Sequence, residues 1–407
     1  MLKLWIYKIK RPYHFIKTGL LSGLVSQVKY NFPYKNLNVL AVTGTDGKTT
    51  TTNLLHHLLT TAGIKAGLIS TIGGRVGDSV SSIGLHVTSP SPLVVAKFAK
   101  QLHDTGITHL VLEVTSHGYY QYRTWGINPQ VLGITNLSHE HLDYHVTMDE
   151  YAKAKAGLAS KAKQVIMGQA SLGFEKISKL IAPNKLLTFG ATQYGSSRLE
   201  SAIKTRFKAK YNQANAQLAI QMAKQLGLTD KILVKGIESF PGVEGRIEEI
   251  KTTLPFKVFV DFAHTPNAIK SVLSALKFEL QNQRKSGKLI AVYGATGLRD
   301  PSKRPSMGRL GTDIADLVVL TADDTRTENI WSIIRQMKEG LTKNHNKVVS
   351  IASRSKAISF ALAQAKAGDI VAVLGQGHEK TLLIGTTEHP WSDQEAIRKI
   401  LTKLETS

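Results

Sequence analysis

The chain has 407 residues, 42% hydrophobic and 20% charged, the balance of a packed globular protein with room for two or three domains. It contains no cysteine, which excludes disulfides, zinc–thiolate sites and cysteine nucleophiles and fits a reducing, cytoplasmic setting. Its 52 Lys and Arg against 30 Asp and Glu give a net charge of +22, either a solvated basic surface or an attraction for anions such as nucleotides or an acidic membrane face. No zinc finger, helix-turn-helix or RNA-binding signature accompanies that charge, so no nucleic-acid partner is expected.

Residues 1–36 form a basic N-terminal extension that mixes apolar and aromatic residues with Lys3, Lys8, Lys10, Arg11, Lys17 and Lys29. It lacks the uniform apolar stretch and small-residue cleavage site of a signal peptide, and no run in the chain reaches the roughly 18 apolar residues of a membrane span. Two readings stay open: a basic amphipathic segment in peripheral contact with a membrane surface, or a helix packed on the protein's own body. Asn31-Phe32-Pro33-Tyr34 reads as a hinge.

LNVLAVTG then reads as a buried strand ending in Gly44, and a helical pattern runs from Lys48 to Gly63. HLVLEVTSH and VLGITNLS are further strands entering polar loops; Tyr151–Leu158 and Tyr211–Leu226 read as helices. The stretch from about 165 to 210 reads as irregular and rich in Lys and Ser. Beyond Pro241, KVFVDFAH, KLIAVYG, DLVVLTA, KVVSIA and DIVAVLGQG are expected strands, with helices at 266–282, 328–342 and 354–366. Such alternation predicts an α/β protein with mostly parallel sheets. The expected domains are the extension at 1–36, a central P-loop ATP-binding domain at 37–238 and a Rossmann-like α/β C-terminal domain at 239–407.

The strongest local signal is Thr43-Gly44-Thr45-Asp46-Gly47-Lys48-Thr49-Thr50 between a strand and a helix. Glycines let backbone N–H groups turn toward an anion, and the helix N-terminus favours negative charge. Lys48 would reach the β/γ-phosphates of ATP and the Thr49 hydroxyl would bind Mg²⁺. The turn departs from the general Walker pattern at Val42, where glycine is usual. Glu113 and His141 follow strand ends, where parallel-sheet sites gather, and suit Mg²⁺ or Mn²⁺ beside phosphate.

The Gly-Thr-x-Gly-Lys-Thr-Thr variant resembles the phosphate loop of the Mur ligase family. Further segments match that family in order: Glu113-Val114-Thr115-Ser116-His117; Thr135 to His145; Tyr151 to Lys155; Val260 to Pro266; Lys303 to Gly308; and Gly375-Gln376-Gly377-His378-Glu379. The nearest branch is the one that adds the third amino acid to the peptidoglycan stem peptide. The resemblance implies an ATP-dependent, ADP-forming amide ligase acting through an acyl phosphate, with Lys48, Glu113, His141 and Lys155 as catalytic residues. It implies ATP binding by Gly44, Thr45, Asp46, Gly47, Lys48, Thr49, Thr50, Asn136, Asn212, Asn215, Arg246, Asp261 and His264. Thr49, Glu113, His141 and Lys155 would hold Mg²⁺, with Lys155 carbamylated to N6-carboxylysine. On the muramoyl-peptide side it implies Thr88, Ser89, Thr115, Gln121 and Arg123; for the incoming amino acid, Asp323, Arg326, Gly375 and Glu379. Arg326 favours meso-diaminopimelate, whose second carboxylate lysine lacks, because a guanidinium grips a carboxylate bidentately. Asp324, Thr325, Gln376 and Lys380 depart from the family pattern. Family members also carry an N-terminal domain that grips uridine diphosphate, and about 40 residues before the turn are too few for one. The resemblance implies a UDP-linked muramoyl dipeptide as the acceptor. The alternatives are a lipid-linked muropeptide, another carboxylate, or a catalytically idle nucleotide binder.

Overall fold

A computed structural model describes residues 2–77, 79–81, 89–190, 195–282, 287–341 and 345–406, with backbone alone at 2, 79–81 and 345. Two compact units divide the described chain, Met1–Pro241 and Gly242–Ser407.

The first unit is built on an eight-stranded sheet. In chain order its strands are β1 (Asn38–Thr43), β2 (Ala66–Ser70), β3 (Gly73–Val76), β4 (Ser79–Ser81), β5 (His109–Glu113), β6 (Val131–Ile134), β7 (Gln164–Gly168) and β8 (Leu186–Phe189). They lie in the order β4-β3-β2-β5-β1-β6-β7-β8, parallel from β2 to β8, with β3 and β4 antiparallel at one edge. Helices on both faces explain why β1, β2 and β6 read as unbroken apolar runs and not as alternation. The chain passes from β5 on one side of β1 to β6 on the other, so the end of β1 lies at a topological switch point.

One long helix precedes the sheet, α-helical over Leu2–His14, π-helical over Phe15–Leu24 and α-helical again over Val25–Lys29. One face of this helix packs on the first unit, and the other is exposed and apolar. The expected hinge at Asn31–Tyr34 is a packed turn, because Tyr34 and Leu37 are buried in the core of the unit. The stretch expected to be irregular holds β7, β8 and helices at Phe174–Ser178 and Ser197–Arg206. Three of these elements span only four or five residues, too short for apolar periodicity to show.

The second unit holds β9 (Glu248–Ile250), β10 (Lys257–Asp261), β11 (Leu289–Tyr293), β12 (Leu317–Leu320), β13 (Val348–Ser350) and β14 (Ile370–Leu374). Their order is β13-β12-β11-β14-β10-β9, parallel except for β9. A hairpin of β15 (Thr381–Ile384) and β16 (Thr387–Pro390) follows. The hairpin and the helices Arg304–Ile314 and Asp393–Glu405 are additions to the sequence reading.

Candidate active site

β1 delivers the chain into the turn Gly44–Gly47, from which the helix Lys48–Thr61 starts. Gly44 has φ 146° and a Cβ there would stand 1.7 Å from Thr135 Oγ1; Gly47 has φ 82° and a Cβ would stand 2.2 Å from Asn215 Oδ1. Glycine is required at both by conformation and by space. The loop after β6 braces the turn. Thr45 N donates to Asn136 O (3.0 Å), Asp46 N to Asn136 Oδ1 (3.1 Å), and Thr135 Oγ1 to Asp46 O (2.7 Å). Lys48 Nζ folds back to donate to Thr45 O at 2.8 Å. Thr50 is buried in the first turn of the helix. Asn215, on the helix Lys210–Lys224, stands directly against Gly47, and its Nδ2 donates to Asn212 Oδ1 at 3.3 Å.

Glu113 ends β5 opposite Val42 of β1, so sheet register alone sets it beside the turn. Its carboxylate, 1% exposed, accepts from Thr49 Oγ1 (3.1 Å), Thr71 Oγ1 (2.9 Å) and Thr71 N (2.9 Å). Thr71 escaped the sequence reading; its position just after a strand end was the only signal for it.

Lys155, on the helix Met148–Ala156, is buried and its Nζ donates to Gly44 O. Burial, and after it the charge of Lys48, hold its amine well below the usual lysine range. Lys48, Thr49, Glu113 and Lys155 thus all touch the turn or one another. His141 stands further out. It sits in the left-handed region (φ 57°), and its ring lies 4.8 Å from His117 and 6.1 Å from Tyr151, whose hydroxyl is 3.1 Å from Thr45 Oγ1.

The donor set fits a magnesium ion. Mg²⁺ binds hard oxygens, takes one or two carboxylates from the protein and fills its shell with phosphate and water. Thr49 and Glu113 supply such oxygens 3.1 Å apart, and no group of three or more His, Asp or Glu suited to a metal occurs among the described residues. An ammonium at position 155 would oppose the cation, whereas a depressed amine is the form that attacks CO₂, making a C–N bond and releasing a proton to become an anionic carbamate.

On the other side of β5, Ser89 Oγ and Thr115 Oγ1 lie 2.9 Å apart, Arg123 donates to Ser89 O (2.8 Å) and Gln121 donates to Tyr144 Oη (3.0 Å). Thr88 lies outside the described residues. Behind them His145, fully buried, lies 2.9 Å from Ser116 Oγ and 2.9 Å from the hydroxyl of Tyr7 on the N-terminal helix. Burial first, then His117 and Lys155, push its pKa down to about 3, so the ring is neutral.

In the second unit the candidate residues lie just before β9 and at or beyond the ends of β10, β12 and β14. Asp261 accepts from Ile247 N (2.7 Å) and Ala263 N (2.8 Å), His264 Nδ1 lies 2.8 Å from Phe262 O, and the Arg246 guanidinium stands over the Phe262 ring at 4.5 Å. Asp323 Oδ1 accepts from Asp324 N and Gln376 Nε2, while its buried Oδ2 has no hydrogen-bond partner and faces Gly375, where a Cβ would stand 2.9 Å away. Glu379 is pushed up to about 9 by burial, then by Asp323 and Asp324. Arg326 is held at φ 52° by pairing with the hairpin: its N donates to Leu383 O at 3.0 Å, and its buried Nε has no hydrogen-bond partner. Asp324 accepts from Leu383 N at 2.9 Å, so this departure from the family pattern anchors the hairpin.

The model of the Mur ligase middle domain matches residues 42–225, and that of the Mur ligase glutamate ligase domain matches residues 245–377. The chain is 34% identical over 396 residues to UDP-N-acetylmuramoyl-L-alanyl-D-glutamate–2,6-diaminopimelate ligase of Clostridium tetani, spanning 92% of this chain and 80% of that protein. It is 34% identical over 387 residues to the ligase of the same name from Aquifex aeolicus, spanning 91% and 78%. A solved structure of a ligase of this name superposes with a TM-score of 0.59 at 28% identity, covering 95% of this chain and 83% of that one. With both family domains in order and relatives similar along almost its whole length, the chain belongs to the Mur ligase family.

Proposed function

We propose that the chain is the ATP-dependent ligase that joins 2,6-diaminopimelate to UDP-N-acetylmuramoyl-L-alanyl-D-glutamate with release of ADP and phosphate. The observation that carries this reading is the gathering of Lys48, Thr49, Glu113 and Lys155 on one phosphate-binding turn in a member of this family. A carboxylate is a poor electrophile, so the γ-phosphoryl group of ATP is moved onto it to give an acyl phosphate; the amine of the amino acid then attacks and phosphate leaves. Lys48 and the backbone of the turn hold the phosphates in line and oppose charge that spreads over the moving phosphoryl group. Thr49, Glu113, carbamylated Lys155 and His141 would hold Mg²⁺, which would supply further positive charge against the phosphate oxygens. Asp46, Thr50, Asn136, Asn212 and Asn215, with Arg246, Asp261 and His264, are assigned to the nucleotide. Thr88, Ser89, Thr115, Gln121 and Arg123 are assigned to the muramoyl peptide, with Arg123 pairing with its carboxylate. Arg326 is assigned to the far carboxylate of the amino acid and Gly375 and Glu379 to that same far end, with Asp323 in the segment that reads the amino acid. The proposed use of ATP and a UDP-linked acceptor assigns the reaction to the cytoplasm.

Phosphate release tests the reading. With ATP, Mg²⁺ and UDP-muramoyl dipeptide, release is expected with diaminopimelate and not with lysine or without amino acid. Arg326→Ala should raise the KM for diaminopimelate by roughly 10- to 100-fold, the value of a charge-assisted contact. Turnover with lysine equal to that with diaminopimelate would refute the amino-acid assignment, and no ATP-dependent release would refute the ligase. Lys155 has its own test. Protein equilibrated with ¹³C-bicarbonate should show a carbamate resonance in the carbon spectrum that Lys155→Arg lacks, and that variant should lose at least about 100-fold in kcat, as for loss of one transition-state charge contact. An unchanged spectrum in the variant would remove the modification from this site.

A further inference from the structure

The N-terminal helix meets the first unit along a single ridge of every fourth residue. Tyr7 stacks on Tyr120 at 4.3 Å; Arg11 stands over the rings of Tyr120 and Tyr122; Phe15 meets Tyr122 and Trp125. Gly19 and Gly23 lie against Trp125, where a Cβ would come within 3.0 Å and 2.5 Å of the ring, and Gln27 packs on Gly126. A four-residue ridge drifts one way around an α-helix and the other way around the wider π-helix. The change from α to π at Phe15 therefore keeps the ridge straight, and the opposite face stays turned outward along the whole length.

That outward face is apolar. Trp5, Ile9, Tyr13, Leu21 and Val25 form one row and Ile16, Leu20, Leu24 and Val28 the next, with Trp5 62%, Leu21 61% and Val28 64% exposed. Most of the exposed large apolar side chains among the described residues fall between Trp5 and Phe32. Lys3, Lys8, Lys10, Lys17 and Lys29 are exposed along the same helix, and no Asp or Glu occurs before Asp46.

We propose that this face docks the protein on an anionic lipid bilayer, with the apolar rows at the level of the headgroups and upper acyl chains and the lysines on lipid phosphates. Apolar area and basic charge act together in such helices. A second copy of the chain is the poorer occupant, because two such faces would bring lysines together with no carboxylate from this segment to pair with them. The ridge rests on Tyr120–Trp125, the stretch that carries Gln121 and Arg123. Docking would hold that stretch about one helix diameter, roughly 10 Å, from the headgroups.

The full chain is tested by cosedimentation with vesicles of phosphatidylcholine alone and of phosphatidylcholine with phosphatidylglycerol. Partition onto the anionic vesicles is expected to be at least about 10-fold higher and to fall with salt. The double variant Ile9→Glu/Leu21→Glu, changed only at exposed positions, should lose at least about 10-fold of that partition. Its melting temperature and its nucleotide binding in vesicle-free solution should match the parent. Phe278→Glu, an equally exposed apolar position in the second unit, should change nothing. Equal partition onto both vesicles, no partition, or undiminished binding by the double variant would overturn the proposal. So would a dimer of the parent chain that the double variant turns into a monomer, which would make the face an interface between copies.

Discussion

Replacing Lys48 with alanine is expected to lower kcat by at least about 10²-fold at saturating ATP, the usual loss when one contact to transition-state charge is removed. The ammonium is bound back on Thr45 O and so is held beside the turn proposed to receive the phosphates. Because the contact matters most as the γ-phosphoryl group moves, kcat should fall more than the affinity for ADP. A second signature separates this effect from simple misfolding. The charge of Lys48 is one of the forces that lower the pKa of Lys155. Removing a like charge lets Lys155 keep its proton to higher pH, so less of it is available to CO₂ and the carbamate signal of the variant should shrink at a fixed pH. A rate within a few-fold of the parent would end the assignment of Lys48 to phosphoryl transfer.

The largest expected loss of stability comes from Asp393→Ala. Arg354 and Asp393 are both fully buried and form a two-pronged pair, Nε to Oδ1 at 2.7 Å and Nη2 to Oδ2 at 2.6 Å. The guanidinium also donates to Ala322 O and Leu374 O, and Trp391 Nε1 donates to Asp393 Oδ1. Burial works against the charge of Arg354, but Asp393, together with Asp323 and Glu379, holds the guanidinium above its usual range. Truncating Asp393 strands a buried cation, at a cost of about 3–5 kcal/mol. Denaturant unfolding of the second unit should shift by that amount. The double change Arg354→Met/Asp393→Leu should recover most of it, since removing both charges also removes the desolvation penalty. A shift below about 1 kcal/mol for the single variant would mean that water reaches the pair. Through Ala322 and Leu374 the pair fixes the ends of β12 and β14, from which Asp323 and Gly375 emerge, so the KM for the amino acid should rise alongside.

The phosphate turn was legible because its causes are local: an apolar run that ends in glycine, then lysine and threonine at a helix start. The alternating second unit was legible because its strands are apolar runs parted by amphipathic helices. What stayed hidden is set by partners far away in the chain. Tyr7 reaches His145 across 138 positions, Thr71 reaches Glu113 across 42, and Arg354 reaches Asp393 across 39; nothing beside any of these residues announces its partner. The elements of the stretch read as irregular owe their form to pairing with β6 and to burial against neighbours. The outward face of the N-terminal helix was half legible: its charge and apolar content stand in the sequence, but the straight inward ridge appears only once the π-helical turns are seen.

The pairing of Val42 with Glu113 has a bearing on which length changes the gene can tolerate. Side chains alternate between the two faces of a strand, so deleting a single codon within His109–Glu113 would either slide the whole strand or turn the carboxylate to the opposite face. Insertions in the connections that follow β3 or β7 leave that phase intact. Surviving indels should therefore collect in those connections and be absent from the two central strands, whatever happens to the amino acids around them.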